Sequence, residues 1–326
     1  MLHAICIRAH GGPEVLEWQP VEVGAPGPTE ARVRHTAVGL NFIDIYQRTG
    51  LYPASLPVIP GREAAGVVEA VGARVRHVAP GDRVAYVSST PGAYAEQRVL
   101  DAAQLVKLPD GISDEQAAAV MLKGLTAYML VRRVHRLRSR ETVLIHAAAG
   151  GVGLLTVQWA AHLGARVIGV VSSPDKAALA RRHGATEVLL TDEDWVAGTR
   201  AFTRGQGVEV VYDSVGKATF AGSLDCLAPR GLLVTFGNSS GPPPAIEPLE
   251  LARRGSLFLT RPTVFDYTRT PAELARAARE LFDLVQRGVL SVHIGQRYPL
   301  ADAARAHADL EARRTVGSTV LTVNAP

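Results

Sequence analysis

The stretch His146-Ala147-Ala148-Ala149-Gly150-Gly151-Val152-Gly153, running on to Gly164, has the residue types and spacing best suited to chemistry in this chain. Ala148, Gly150 and Gly153 fall at the spacing of a dinucleotide fingerprint. They carry little or no side chain where backbone has to approach a pyrophosphate, and Gly151 and Val152 between them are expected cofactor contacts too. The N–H groups at the start of the following helix would face the anion. Residues 142–145, Thr-Val-Leu-Ile, are short, apolar and β-branched, as a buried strand is, and about three turns of helix fit before Gly164. A strand-to-helix turn with nothing bound has the same local signature, so the surrounding elements decide between the two.

Those elements alternate. Strands at 142–146, 166–171, 187–190, 208–213, 231–237 and 256–260 are separated by helical stretches at βαβ spacing. Continuous apolar strands with helices between them imply a parallel sheet covered on both faces, an α/β doubly wound arrangement. Before them, residues 2–122 read as short strands broken by turn signals such as Ala25-Pro26-Gly27-Pro28 and Ala79-Pro80-Gly81-Asp82, the texture of a β-barrel. Ser113-Asp114-Glu115-Gln116 resembles a capping box opening an alanine-rich helix, where the first domain hands over. A helix over 271–286 and a strand over 317–323 are placed back with the first domain. The expected division is therefore 1–122 with 261–326, and 123–260.

The 326 residues suffice for about two domains. Hydrophobic residues make up 47% and charged ones 20%, and no apolar run reaches the roughly 18 residues of a membrane span. A membrane is thus not an expected partner. The N-terminal residues alternate like a strand, no leader is evident, and a cytoplasmic location is expected. The formal charge of +4 arises from 35 basic and 31 acidic residues without a long block of one sign, so nucleic acid is not an expected partner either. Cys6 and Cys226 cannot by themselves build a zinc cluster or a disulfide framework.

In an NAD-type site an acidic residue closes the second strand. Here that strand ends in Val171-Ser172-Ser173-Pro174-Asp175-Lys176. Ser172, Ser173 and Lys176 offer hydroxyls and a positive charge that suit a 2′-phosphate, so NADPH is the expected cofactor. The alternative is that Ser173-Pro174-Asp175 only caps the next helix and Lys176 is a solvated charge. The chain has four lysines, Lys107, Lys123, Lys176 and Lys217, in a background of arginine. Ser214 and Gly216 follow another strand, at the same carboxyl edge of the sheet.

Several stretches together resemble the medium-chain dehydrogenase/reductase superfamily and, within it, the zinc-free, zeta-crystallin-like quinone oxidoreductases. They are His10-Gly11-Gly12-Pro13-Glu14-Val15-Leu16, Val38-Gly39-Leu40-Asn41-Phe42-Ile43-Asp44 with Tyr46, Gly50-Leu51-Tyr52-Pro53, Pro60-Gly61-Arg62-Glu63-Ala64-Ala65-Gly66 and Ala79-Pro80-Gly81-Asp82-Arg83-Val84. Leu122-Lys123-Gly124-Leu125-Thr126-Ala127-Tyr128, the glycine turn, Val211-Tyr212-Asp213-Ser214-Val215-Gly216, Gly237-Asn238-Ser239-Ser240-Gly241 and Arg261-Pro262-Thr263 follow in the family's order. The likeness implies a GroES-like β-barrel catalytic domain beside a Rossmann cofactor domain. It also implies reduction of a quinone by direct hydride transfer from NADPH, or of an enone or alkenal double bond with the same cofactor. A third possibility is a nucleotide- or RNA-binding or structural role without significant catalysis.

The family's alcohol dehydrogenases carry a cysteine where Asn41 stands and a histidine where Arg62 stands, so a metal-free site is expected. A quinone or conjugated enone needs no zinc to accept hydride, because the negative charge spreads onto distant oxygens. The resemblance assigns Asn41, Asp44, Tyr46, Tyr52 and Thr126 to the catalytic cleft, with Asn41, Tyr46 and Thr126 also meeting the cofactor. It implies cofactor contacts from Asn238, Ser239 and Ser240, and one from Gly317 near the adenosine phosphate. Tyr46 as a core tyrosine, Asp44 as a cap, and Lys123 paired with Glu63 rather than stabilising an oxyanion are the plainer alternatives. The family's dimer joins sheets edge to edge, and residues 256–260, Ser-Leu-Phe-Leu-Thr, suit such an edge, so a homodimer is expected.

Overall fold

Alternate positions Ala31, Val33, His35 and Ala37 turn inward along the longest strand of the barrel, and from Val38 to Leu40 every residue is enclosed. A half-buried strand thus becomes a fully buried one just before the segment that carries Asn41. The structure, a computed structural model, describes residues 1–323; residues 324–326 of the expected first domain lie outside the described residues.

The chain begins with β1 (Leu2–Cys6), β2 (Glu17–Val21), β3 (Glu30–Leu40), α1 (Phe42–Arg48), β4 (Glu63–Val71) and β5 (Arg83–Val87). It continues with β6 (Gln97–Asp101), β7 (Leu105–Lys107) and α2 (Asp114–Tyr128), which runs into a π-helical turn at Met129–Val134. The cofactor-type repeat is β8 (Thr142–His146), α3 (Gly151–His162), β9 (Arg166–Val171), α4 (Pro174–Arg182), β10 (Glu187–Leu190) and α5 (Trp195–Phe202). It is completed by β11 (Val208–Asp213), α6 (Phe220–Asp225), β12 (Leu227–Thr235), α7 (Pro248–Arg253), β13 (Phe258–Thr260) and α8 (Val264–Tyr267). Last come α9 (Pro271–Gln286), β14 (Ile294–Pro299), α10 (Ala303–Glu311) and β15 (Ser318–Thr322).

Two units result, one of residues 1–125, 268–286 and 292 onward, the other of residues 126–267 and 287–291. In the first, seven strands form a mixed sheet in the order β14-β15-β3-β4-β5-β7, with β6 also pairing β3. Ile5, Val33, Leu40, Val68, Tyr86, Tyr94 and Leu321 lie in its core. The capping box at the head of α2 is formed, with Gln116 N–H donating to Ser113 Oγ at 3.1 Å and Ser113 N–H to Gln116 Oε1 at 3.0 Å.

In the second unit six strands run parallel in the order β10-β9-β8-β11-β12-β13, the doubly wound order that reverses beside β8. Leu144, Ile168, Val211 and Leu233 fill its core. The unit edges differ from the expected 122 and 260. Tyr267 stays with the second unit, its ring 6.0 Å from the Arg133 guanidinium. Gln158 holds Ser291 there too, accepting its N–H at 2.7 Å and donating to its carbonyl at 3.2 Å. β13 is shorter than the expected 256–260 because Ser256 has φ +58, outside strand geometry. Among the described residues no helix is long and apolar enough to cross a membrane.

Candidate active site

The expected site residues divide between the units, and each group is coherent within its own. In the first unit, Asn41 precedes α1 in extended conformation and its backbone N–H donates to Asp44 Oδ2 at 2.9 Å. Its side-chain Nδ2 donates to Glu63 Oε1 at 2.7 Å and lies 3.4 Å from the Gly39 carbonyl. Both amide hydrogens are thereby directed at protein acceptors, and Oδ1, which closes the capping box of α1 toward the Asp44 N–H, keeps its second lone pair for a ligand.

Glu63, fully buried at the start of β4, also accepts from the Leu122 N–H at 2.5 Å and from Lys123 Nζ at 2.9 Å. Lys123 is thus paired, the plainer of its two readings, and it supports Asn41 through Glu63. Only glycine permits this closure at position 39: a Cβ there would lie 2.2 Å from Glu63 Oε1 and 2.3 Å from the Ala118 carbonyl.

Tyr46 is buried, with Phe42 at 6.0 Å and Tyr52 edge-on at 5.1 Å between ring centroids. Tyr52 is half-buried, so more of its ring than of Tyr46's is open to a ligand. Asp44 is fully enclosed, and its carboxylate clamps the start of α1. This is a cap's position, the plainer of the two readings of Asp44. Burial pushes its carboxyl up to about 7, against the hydrogen bonds from Asn41 and Tyr94 and the charge of Arg62.

In the second unit β8 ends at His146 and the chain turns through Ala147 at φ +50, so an alanine occupies the left-handed position of this turn. Gly150 precedes α3 with no side chain capping the helix start. The first N–H groups of α3 have no carbonyl within the helix to bind, an arrangement that suits a pyrophosphate. A Cβ at Gly153 would lie 2.2 Å from the Ala147 carbonyl oxygen, so the helix closes on the turn only with glycine there. Gly151 and Val152 occupy the first turn of α3, and Ala148 is buried against β9, where a Cβ at Gly169 would lie 2.9 Å from its own.

At the end of β9, Ser173 caps α4 by accepting the Lys176 N–H at 3.4 Å, and Lys176 Nζ donates to the exposed Ser172 Oγ at 3.3 Å. The cap reading therefore holds for Ser173, while the Lys176 ammonium and Ser172 hydroxyl stand together as a 2′-phosphate site needs.

At the ends of β11 and β12, buried Asp213 accepts the N–H groups of Val215 (2.8 Å) and Gly216 (3.0 Å) and shapes the Ser214 loop. Ser239 N–H donates to the Ser214 carbonyl at 3.3 Å, bringing the Asn238-Ser239 loop to the same edge. The Ser240 hydroxyl is taken up by the scaffold, donating to the Val215 carbonyl at 2.8 Å and accepting the Ala218 N–H at 3.0 Å. Any contact that Ser240 makes with a cofactor therefore leaves this hydroxyl hydrogen with the Val215 carbonyl. Thr126 is half-buried within α2. Gly317 lies in the first unit, where φ +60 and the His293 carbonyl 2.3 Å from a Cβ explain the glycine locally.

Residues 27–110 match the family model described as alcohol dehydrogenase GroES-like domain, and 151–284 that of zinc-binding dehydrogenase. A quinone oxidoreductase of Pseudomonas aeruginosa is 55% identical over 98% of this chain and 99% of its own. The chain belongs to the quinone oxidoreductase family. A crystal structure of Escherichia coli quinone oxidoreductase complexed with NADPH superposes with a TM-score of 0.96 at 47% identity, covering 98% of this chain and 99% of that one. A 2-haloacrylate reductase from a Burkholderia species is 43% identical over 98% of this chain and 99% of its own.

The zinc in the second model's description does not fit this family member. Asn41 donates its amide to Glu63, Arg62 is a cation, and among the described residues no group of three or more His, Cys, Asp or Glu side chains could hold a metal ion. No motif marks Tyr94, which donates to Asp44, or His307 and Arg48, which follow behind it in a chain of contacts; Glu63 lies within a family motif, where its one suggested partner is Lys123.

Proposed function

We propose that this chain reduces quinones with NADPH by direct hydride transfer. The observation that carries the proposal is the near-full-length 55% identity to a quinone oxidoreductase in a chain whose glycine turn opens onto an uncapped helix. NADPH, when bound, supplies the hydride. The Gly150–Gly153 turn binds its pyrophosphate, and Ser172 with Lys176 receives the 2′-phosphate. Asn41, held by Glu63, accepts one donor from the bound molecules, while Tyr52 and the exposed part of Tyr46 orient a flat ring by contact. Positioning is the protein's main contribution, since the charge that arrives with hydride is delocalised in the quinone itself.

Initial rates of NADPH oxidation with 1,4-quinones, enones and 2-haloacrylates test this, with quinones expected to give the highest kcat/KM. Higher rates with the activated alkenes would favour the second reading, which the 2-haloacrylate reductase supports. No turnover of either class would sink both.

Lys176→Ala is expected to lower kcat/KM for NADPH about 10- to 100-fold while leaving NADH within about threefold, because only NADPH loses a charge-assisted contact. An equal loss with both coenzymes would remove Lys176 from the 2′-phosphate site.

The chain is also proposed to form a homodimer through the outer edge of β13. That strand ends the six-stranded sheet, and Phe258 on it is 61% exposed. An open apolar edge of this kind is one that a second copy can cover. Phe258→Glu should convert a dimer to a monomer in sedimentation velocity; a wild-type sedimentation coefficient in the variant would place the interface elsewhere.

A further inference from the structure

Asp44 sits at the end of a buried chain of polar groups that joins three distant parts of the sequence. Arg48, on α1 and 1% exposed in its side chain, lies with Nη1 3.2 Å from His307 Nδ1. It also donates Nη2 to Glu311 Oε1 at 2.7 Å and Nε to the Gly11 carbonyl at 3.2 Å. A guanidinium can only donate, so His307 Nδ1 must be the bare nitrogen and its hydrogen must sit on Nε2. That nitrogen is 3.0 Å from Tyr94 Oη. The phenol accepts from the imidazole, and its own hydrogen goes to Asp44 Oδ2 at 3.1 Å. The same oxygen takes the Asn41 N–H at 2.9 Å, while Asp44 Oδ1 is buried with no hydrogen-bond partner.

We propose that Arg48, His307 and Tyr94 are positioning residues for the quinone reaction, a one-way chain of donors that ends on Asp44 Oδ2 and confines any proton of that carboxyl to Oδ1. The proposal rests on the reading that the segment from Asn41 to Tyr52 carries the substrate.

The direction of the chain decides what it can do. Protons cannot pass along it, because Arg48 gives none up and His307 would have to take a second hydrogen on the nitrogen that Arg48 covers. Burial and the neighbouring Arg48 push His307 down to about 3, and burial with the nearby Asp44 drives Tyr94 well above the ordinary phenol range. Both therefore keep their hydrogens in place across the working range. The carboxyl at the end of the chain, pushed up to about 7 by burial, is the member that changes state.

Arg62 and Glu63 also face Asp44 with opposite charges, and Glu63 is paired to Lys123. With Oδ1 protonated, α1 begins on a neutral clamp. Once ionised, Oδ1 is a bare buried anion three residues from Asn41, in a site that must accept the negative charge arriving with hydride. The protonated form is the active one, and kcat/KM with a quinone falls as pH rises through about 7.

The test is the pH profile of kcat/KM for 1,4-benzoquinone at saturating NADPH, together with the Asp44 carboxyl infrared band followed in the protein without substrate. Asp44→Asn, which keeps an acceptor for Asn41 and Tyr94, should lose the descending limb and the titrating band. Tyr94→Phe removes a hydrogen bond that favours the ionised carboxylate, so both the limb and the band should move up by about half a unit to one unit. His307→Gln, which retains a donor toward Tyr94, should stay closer to wild type than His307→Leu.

A Tyr94→Phe variant with lower activity but unmoved midpoints would overturn the proposal, as would a limb that survives in Asp44→Asn. If the band titrates and shifts as stated while no quinone is reduced at any pH, the assigned reaction fails and the buried chain stands.

Discussion

Gly153→Val is expected to abolish measurable NADPH binding, with affinity at least about 100-fold weaker, and to lower stability by about 1–3 kcal/mol. Its Cβ would lie 2.2 Å from the Ala147 carbonyl oxygen and 2.9 Å from Ala148 Cα, both backbone atoms of the turn and neither able to swing aside as a side chain could. The helix start must therefore retreat from the end of β8, taking with it the N–H groups on which the pyrophosphate rests.

Gly150 gives the contrast. It has φ −81, an ordinary value for any residue, and a Cβ there would lie 3.2 Å from the same carbonyl. Gly150→Ala should keep stability within about 1 kcal/mol and lose affinity only through the methyl that meets the phosphate. Fluorescence titration with NADPH and thermal unfolding of the two variants separate these effects. Wild-type affinity in Gly153→Val would mean that the turn is not where the cofactor's phosphates lie.

The difference between these two glycines marks how far the sequence can be read. The fingerprint spacing locates the turn, and the buried apolar strands place it in a parallel sheet, because those signals are local and periodic. β8, β9, β10 and β11 begin and end at the positions that their apolar runs indicate. The left-handed residue of the turn is less legible: it is Ala147, where a glycine would be looked for first.

Least legible is the polar interior of the barrel. Arg48 and His307 carry no motif and no periodic signal that marks them as interior, yet both are essentially enclosed. Their burial depends on Tyr94 and Asp44, far away in sequence, and polar partners at such separations leave no period in the chain. Asp44 itself falls within a family motif, but that its carboxyl takes the backbone N–H of Asn41 is visible only in the structure.

Glu63→Leu is expected to cost about 3–5 kcal/mol of stability, read from denaturant unfolding, because it strands three donors at once. Lys123 would keep a buried charge without its carboxylate, and the Leu122 N–H and the Asn41 amide would lose their acceptor. Adding Lys123→Met should restore most of that loss, since replacing both members of a buried ion pair by apolar groups of similar size removes the stranded charge. Activity should not return with it. Asn41 would still lack the acceptor that fixes which way its amide faces, and kcat/KM for the quinone should remain about 100-fold below wild type, the scale of a misplaced positioning group. Glu63→Gln, which keeps an acceptor oxygen, should show the opposite pattern: a large loss of stability from the unpaired Lys123, with the folded fraction retaining more activity than the apolar double variant. If instead the double variant recovered both stability and turnover, the ion pair would be scaffolding alone, and Asn41 would owe its orientation to the backbone of α1 and not to Glu63.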